Sequence, residues 1–385
     1  MRQLAALAAV AFAVAAPSAQ TPAPPPIFDA QLRAILALGP WPAARKADPS
    51  NRVSGHAGAI AFGAALFGDL RLSRDATLAC ASCHQPTRAF VDGLPRARGH
   101  AEVDRNTITL LNVGGQRWYG WDGAADNLWA QSLRPLFDAR EMGVDARHVA
   151  TVVRSDATLR TRYAEVFGHP PAADDETVAV DIAKALAAYQ ETLRTGRTSF
   201  DDFRDALARG DAAAAARYPA AARRGLATFI GEGNCTMCHG GPRFTNGEFG
   251  DVGIPFFVAP GRVDAGRHEG IRRLQASRYT LLGPFNDDPT RSTATGTRFI
   301  ALEHRNFGEF RVPSLRNVAH TAPYMHNGSL PTLREVVRHY SEIDEDRLHA
   351  DGVRVLKPFR LSADDADDLV AFLESLSETV PPRGL

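Results

Sequence analysis

Two short cysteine-histidine motifs constrain this chain more than any other feature of its sequence. Residues 80–84 read Cys-Ala-Ser-Cys-His and residues 235–239 read Cys-Thr-Met-Cys-His, so both have the form C-x-x-C-H. Together they use all four cysteines of the chain, and their histidines stand 155 positions apart. A pattern that leaves no cysteine over indicates two equivalent sites.

The C-x-x-C-H pattern is the attachment signature of c-type haem. Two thiols one helical turn apart can each add to one vinyl group of the porphyrin, and the adjacent histidine can then bind the iron from below. The sequence therefore predicts two covalent haem c groups, with His84 and His239 as proximal iron ligands. The attachment residues are Cys80, Cys83 and His84 for the first haem, and Cys235, Cys238 and His239 for the second.

Three other interpretations of the cysteines have to be weighed. A four-cysteine zinc site would not need a histidine after each pair. A dithiol redox motif normally occurs once, in a βαβ setting that this sequence does not show. Two short disulfides remain the third alternative in an exported protein.

The N-terminus reads as a signal peptide. Arg2 is followed by an uncharged apolar run from Leu4 to Ala16, and Ala19 precedes a plausible cleavage point. The run is too short to span a bilayer, so we predict cleavage after residue 19 and a periplasmic location, with an uncleaved anchor as the alternative. Residues 21–26 form a Pro-rich, extended leader.

The charge balance and the periodicity bound the fold. Lys+Arg and Asp+Glu both number 44, which argues against nucleic acid or an anionic membrane as the main partner. Apolar stripes at helical spacing, such as Ile182, Leu186, Tyr189 and Leu193, recur along the chain. The predicted fold class is mostly α, with two cytochrome c-like haem domains and long loops at 86–120 and 240–330.

The expected division is an N-terminal segment over 20–54, a first haem domain over 55–205 and a second over 206–385. The Ala-rich stretch 206–222 is the expected hinge between the two haem domains, and a long surface helix is its alternative.

Several stretches around the motifs resemble the bacterial di-haem cytochrome c peroxidase family, which includes the MauG branch. The resemblance covers roughly residues 55–380. The stretches are 66–73 (LFGDLRLS), 105–112 (RNTITLLN), 121–123 (WDG), 141–142 (EM), 312–318 (VPSLRNV) and 321–328 (TAPYMHNG). One departure is Ala124, where the family usually has arginine.

The resemblance implies a peroxidatic first haem and an electron-transfer second haem. Gln131 and Glu141 match the polar residues on the peroxide side of the first haem, with Pro135 shaping that pocket. A carboxylate there could carry a proton between the peroxide oxygens, and an amide could hold peroxide or water. A charge at a solvated helix end is the alternative for Glu141.

The resemblance also assigns residues between the haems. Trp121 matches a tryptophan that serves as an intermediate site for electron or hole transfer between the haems. The alternative is a core aromatic residue, which is the commoner role of a lone tryptophan. Asn106, Thr321 and Pro323 match an inter-haem calcium site built from an amide oxygen and backbone carbonyls, which are oxygen ligands of the kind calcium prefers.

The distal iron ligands are the informative positions. Typical members place methionine 14 residues after the histidine that corresponds to His326. Here that position holds Tyr340, and MauG also has tyrosine there. A phenolate ligand from this tyrosine would favour oxidised iron. His339, His326 or no ligand are the alternatives. At the first haem, His100 lies on the loop that often supplies a blocking histidine ligand, but two residues nearer Arg105 than usual. An exposed loop histidine is the alternative.

The resemblance implies an oxidoreductase that reduces hydrogen peroxide with electrons from a small cytochrome c or cupredoxin. The alternatives are MauG-like oxidation of aromatic residues on a protein substrate, and a non-catalytic di-haem electron carrier. The sequence leaves open whether the chain forms a homodimer.

Overall fold

The computed structural model describes residues 27–44, 46–255, 257–352 and 355–379. The expected signal peptide and the Pro-rich leader over 21–26 lie outside these residues. Within them, no helix combines the length and apolar character needed to cross a membrane. The helices are α1 (Asp29–Ala37), α2 (Ala57–Phe67), α3 (Cys80–Cys83), α4 (Leu128–Phe137), α5 (Ala146–Ser155), α6 (Ala157–Phe167), α7 (Asp175–Gln190), α8 (Ser199–Ala208), α9 (Ala212–Ala215), α10 (Ala220–Ile230), α11 (Arg267–Ala276), α12 (Thr295–Arg298), α13 (Leu333–Ser341) and α14 (Ala363–Glu374).

Among the described residues, strand structure is confined to two small antiparallel pairs. They are formed by β1 (Phe249–Gly250) with β4 (Phe310–Arg311), and by β2 (Phe257–Ala259) with β3 (Arg262–Val263). In the first pair Phe249 lies opposite Arg311. The mostly helical class predicted from the sequence is confirmed.

The first motif lies in a helical core formed chiefly by α2, α4, α5 and α7. Gly63 of α2 sits directly on α7, where a Cβ atom at residue 63 would fall 2.0 Å from the carbonyl oxygen of Ala185. Only a residue without a side chain permits so close a crossing. Ile182, Leu186 and Tyr189 are buried in this core, as the helical stripe predicted.

The second motif lies in a separate core with the same construction. Gly225 of α10 crosses α14, and a Cβ there would fall 1.9 Å from the carbonyl oxygen of Asp368. A capping box between Ser362 and Asp365 starts α14, and α10 ends at Ile230, just before Gly231. In each half a glycine-mediated helix pair thus packs beside a C-x-x-C-H motif.

Two segments depart from the simple order of the chain. Ile35 and Leu38, in and next to α1, pack in the second core although they precede the first one in sequence. The stretch 206–222 is not one long helix, because it contains the end of α8, the short α9 and the start of α10, with Ala206, Ala215 and Ala222 buried. The loops 86–120 and 240–330 both supply residues to the walls of the two cavities described next.

Two candidate haem sites

The first C-x-x-C-H motif opens onto an apolar cavity. Cys80, Cys83 and His84 line it together with Phe67, Leu128, Leu136 and Leu186. Burial raises the pKa of the Cys80 thiol to about 12, which keeps it protonated. Neither cysteine of the motif is in a disulfide.

His84 is held in the tautomer that an iron ligand needs. Its Nδ1 lies 3.1 Å from the carbonyl oxygen of Phe90, and because a carbonyl can only accept, Nδ1 must donate. Burial lowers the pKa of the imidazole, so the ring is neutral and Nε2 keeps a free lone pair. This is the hydrogen bond that commonly orients a histidine on a metal, and the donor set therefore fits a haem iron.

The polar residues predicted over the first haem meet in the same cavity. Gln131 and Pro135 lie one turn apart on α4, and Glu141 follows the end of that helix. The Gln131 Oε1 atom lies 3.4 Å from Nη1 of Arg134. Glu141 thus faces the cavity of His84, and is not a charge on a solvated helix end.

Burial raises the pKa of the Glu141 carboxyl, and the nearby Asp138 raises it further. Arg134 and Arg140 act in the opposite direction without cancelling the shift. A carboxyl in such surroundings is poised to exchange a proton nearer neutrality than an ordinary glutamate.

His100 lies beside this cavity but is not among the described residues that line it. Its side chain is 7% exposed, and Nδ1 stands 3.6 Å from a carboxylate oxygen of Asp75. Its Nε2 is buried without a hydrogen-bond partner among the described residues. The structure therefore directs one ring nitrogen of His100 towards Asp75.

The second motif repeats the arrangement of the first. Cys235, Cys238 and His239 line a second, larger apolar cavity. The Nδ1 atom of His239 donates to the carbonyl oxygen of Phe244 at 3.0 Å, and burial lowers the pKa of the ring. Because Nδ1 donates to Phe244, Nε2 is the nitrogen that would bind iron, and the Pro313 backbone also hydrogen-bonds this ring.

Tyr340 lines the second cavity from α13. Burial raises the pKa of its phenol, and the neighbouring Cys238 and Cys235 add to that shift, so the side chain lies close to the attachment thiols. The neighbouring His339 is not in the cavity lining, and its Nε2 bonds the carbonyl oxygen of Val252 at 2.7 Å. His326 does line the cavity, stacked on Phe310 with ring centroids 3.4 Å apart.

The residues predicted between the haems also come together. Trp121, Asn106, Thr321 and Pro323 all line the second cavity. Trp121 donates through Nε1 to the carbonyl oxygen of Asn106 at 2.9 Å. Asn106 and Trp121 are far in sequence from Thr321 and Pro323, and the tertiary structure brings the two pairs to one cavity.

Two features of this region were missed by sequence reasoning. Asp122 is fully buried, and although burial pushes its pKa up, Arg105 at 2.8 Å and Arg134 at 3.4 Å hold it well below its usual range. The second is Arg311, a buried guanidinium that borders both cavities. The signal available in the sequence was its position directly before the stretch 312–318, which matches the family.

The paired cavities, each with two thiols and an oriented histidine, define a c-type di-haem protein. A family profile described as di-haem cytochrome c peroxidase matches residues 57–209, and one described as RoxA-like, cytochrome c-like matches residues 310–342. The methylamine utilization protein MauG of Methylorubrum extorquens is 33% identical over 82% of this chain and 77% of its own. Cytochrome-c peroxidase IdrP1 of a Pseudomonas species is 31% identical over 84% of this chain and 81% of its own.

Among solved structures, a MauG-like protein associated with microbial copper homeostasis is 27% identical, with a TM-score of 0.66, covering 89% of this chain and 96% of its own. The chain belongs to the di-haem cytochrome c peroxidase family, a family of haem oxidoreductases. The resemblance read from the sequence is thereby confirmed.

Proposed function

We propose that this chain is a periplasmic di-haem peroxidase, with one haem c in each of two cytochrome c-like domains. It reduces hydrogen peroxide at the first haem and receives electrons one at a time through the second, from a small cytochrome or cupredoxin. The observation that carries this proposal is the placement of Glu141 and Gln131 in the cavity of Cys80, Cys83 and His84.

The residues of this cavity divide the work of peroxide cleavage. When bound, the first haem supplies the iron that takes up peroxide and the electrons for breaking the O–O bond. The ionised Glu141 carboxylate would take a proton from one peroxide oxygen and return it to the other, which leaves as water. The Gln131 amide would donate to and accept from the peroxide oxygens. The apolar wall excludes bulk water around this proton transfer.

Overall, one hydrogen peroxide, two electrons and two protons give two molecules of water. His84, neutral and fixed by the Phe90 carbonyl, would hold the iron through Nε2. Trp121 lies in the wall of the second cavity and is the proposed stepping point for electrons moving towards the first haem.

A second candidate is MauG-like oxidation of aromatic residues on a docked protein. Tyr340 beside Cys235 and Cys238 favours it, because a phenolate ligand would lower the potential of the second haem and favour its oxidised states. The two candidates share the peroxide chemistry and differ in what supplies the electrons. A pure electron carrier would not need a buried carboxyl facing the first cavity.

Stopped-flow mixing of the di-haem protein with hydrogen peroxide tests the proposal. Glu141→Gln should keep both haems but slow the reaction with peroxide by roughly 10²–10⁴-fold, as for a lost acid–base group. The matched control is Asp138→Asn, which removes a nearby carboxylate that is not part of the cavity lining. Equal rates for Glu141→Gln and the parent protein would favour the electron carrier.

Steady-state turnover then separates the two enzymatic candidates. Reduced cytochrome c and cupredoxin should be oxidised by peroxide in the presence of the protein. Failure with both donors, together with a fast reaction with peroxide, would favour a protein substrate.

A further inference from the structure

Arg311 occupies an unusual position between the two cavities. Three described residues line both of them, Ile108, Thr109 and Arg311, and only Arg311 carries a charge. The residue is 4% exposed. A single buried cation therefore stands in the wall that the two sites share.

The backbone fixes where this cation lies. Arg311 belongs to β4, where it pairs with Phe249 of β1. Its backbone N–H donates to the carbonyl oxygen of Trp121 at 2.8 Å, and its Nε donates to the carbonyl oxygen of Gly120 at 3.0 Å. The side chain is thus anchored at Nε, and its two terminal nitrogens remain available to the cavities.

No carboxylate of a described residue pairs with Arg311. Each of the other buried arginines nearby has a different arrangement. Arg105 bonds Asp264 and Asp122, and Arg267 donates to the carbonyl oxygens of Asp122 and Gly123 while lying over the rings of Trp118 and Phe249. A buried cation with neither a carboxylate nor an aromatic ring against it is disfavoured, which makes an anion the expected neighbour of Arg311.

The cavities themselves indicate which anion this is. Each holds the thiols and the histidine that would bind one haem, and each haem carries two propionate carboxylates. A guanidinium offers five N–H donors in a planar fork that matches carboxylates. In the first cavity Arg311 is the only lysine or arginine among the described lining residues, and in the second the other is the exposed Lys357.

We propose that Arg311 is the shared counter-ion of the two haems, bonding a propionate from each through its terminal nitrogens. This inference rests on both haems being bound, which is part of the proposed function. One charge would then act on both irons, raising both reduction potentials together. The difference between the two potentials, which drives electrons from the second haem to the first, would depend little on the charge of Arg311.

The test is a potentiometric titration of the protein, after haem content has confirmed two haems per chain. Arg311→Gln should lower both midpoint potentials, because removing a positive charge favours ferric iron. At an effective dielectric constant near 20, one charge about 12 Å from an iron changes the reduction equilibrium constant of that haem by about tenfold. The difference between the two potentials should change less than either potential.

Two further variants keep the result interpretable. Arg311→Lys retains the charge and should restore most of both potentials, even if Arg311→Gln loads haem poorly. Arg267→Gln removes a buried cation that lines neither cavity, and should leave both potentials near those of the parent protein. The propionate bands in resonance Raman spectra should shift for both haems in Arg311→Gln only.

A fall in only one potential would assign Arg311 to a single haem and overturn the shared role. Unchanged potentials in Arg311→Gln would overturn the interaction altogether. Neither outcome depends on turnover with peroxide, so a protein that fails as a peroxidase can still support or refute this inference.

Discussion

The indole of Trp121 donates its N–H to the backbone carbonyl oxygen of Asn106 at 2.9 Å. The ring proposed to carry electrons between the haems is therefore held by a residue proposed to bind calcium. Asn106 is held in turn, since its side-chain amide donates to the Leu94 carbonyl and its backbone N–H to the His326 carbonyl. Any ion bound by the Asn106 side-chain oxygen would act on the position of Trp121.

Calcium removal should consequently slow electron exchange between the haems. Elemental analysis of the purified protein should find about one calcium per chain, as the oxygen donors of Asn106, Thr321 and Pro323 imply. After chelation, flash-induced electron transfer between the haems should slow, and added Ca²⁺ should restore it. Mg²⁺, which demands a tighter octahedral shell, serves as the control ion. A protein that contains no calcium as purified would contradict the assignment.

The rate of the reaction with peroxide should fall as the pH is lowered. The midpoint of this fall should lie at a higher pH than the pKa of an ordinary glutamate. Burial raises the pKa of Glu141, and only the ionised carboxylate can accept the first proton. The rate should thus be full above this raised pKa and fall as the pH drops through it. Stopped-flow rates across a pH series give the midpoint.

Substituting two charged neighbours of Glu141 should shift the midpoint of this pH dependence in opposite directions. Arg140→Gln removes a cation that lowers the Glu141 pKa, and should move the midpoint to higher pH. Asp138→Asn removes an anion that raises it, and should move the midpoint to lower pH. If both variants keep the parent midpoint, the acid limb belongs to another group.

Tyr340→Met should raise the reduction potential of the second haem, because a neutral thioether favours ferrous iron and a phenolate favours ferric iron. The spectrum of that haem should move towards histidine–methionine ligation. Tyr340→Phe keeps the ring and removes only the oxygen, so it separates ligation from packing. Both variants can be compared with the parent protein by redox titration and near-infrared spectroscopy. If neither measurement changes in either variant, Tyr340 is not an iron ligand.

The first haem should react with peroxide in the fully oxidised protein, without prior reduction. The reason is that His100 lies outside the described lining of the first cavity, with Nδ1 directed towards Asp75. Electron paramagnetic resonance should then show high-spin ferric iron, and His100→Ala should leave that signal in place. An oxidised protein with two low-spin haems that is inert until half-reduced would make His100 the sixth ligand.

Gly63→Ala should destabilise the first core by at least about 1–3 kcal/mol, the usual cost of overpacking. The added Cβ would fall 2.0 Å from the Ala185 carbonyl oxygen, and no rotamer change can move a Cβ. Gly68→Ala is the control, since a Cβ there meets nothing within 4 Å. Urea unfolding of the two variants measures the difference, and equal midpoints would show that α2 and α7 can separate without cost.

The sequence alone determined the chemistry that lies within a few consecutive residues. Both haem attachment motifs, the helical stripe through Ile182 and Leu186, and the cap at Ser362 depend on local spacing, so they can be read without knowing how the chain folds. Family resemblance added the positions of Gln131, Glu141, Trp121 and Tyr340. It could not show which of their atoms face a cavity.

The tertiary structure alone decided the relationships between distant segments. The contact of Trp121 with Asn106, the ion cluster around Asp122, the direction of His100 and the place of Arg311 between two cavities join residues from separate loops. Even the hydrogen bond from His84 to Phe90 depends on how the loop after the motif turns back. Hydrogen bonds and buried charges act over a few ångströms, and only the packed helices and loops bring those atoms that close.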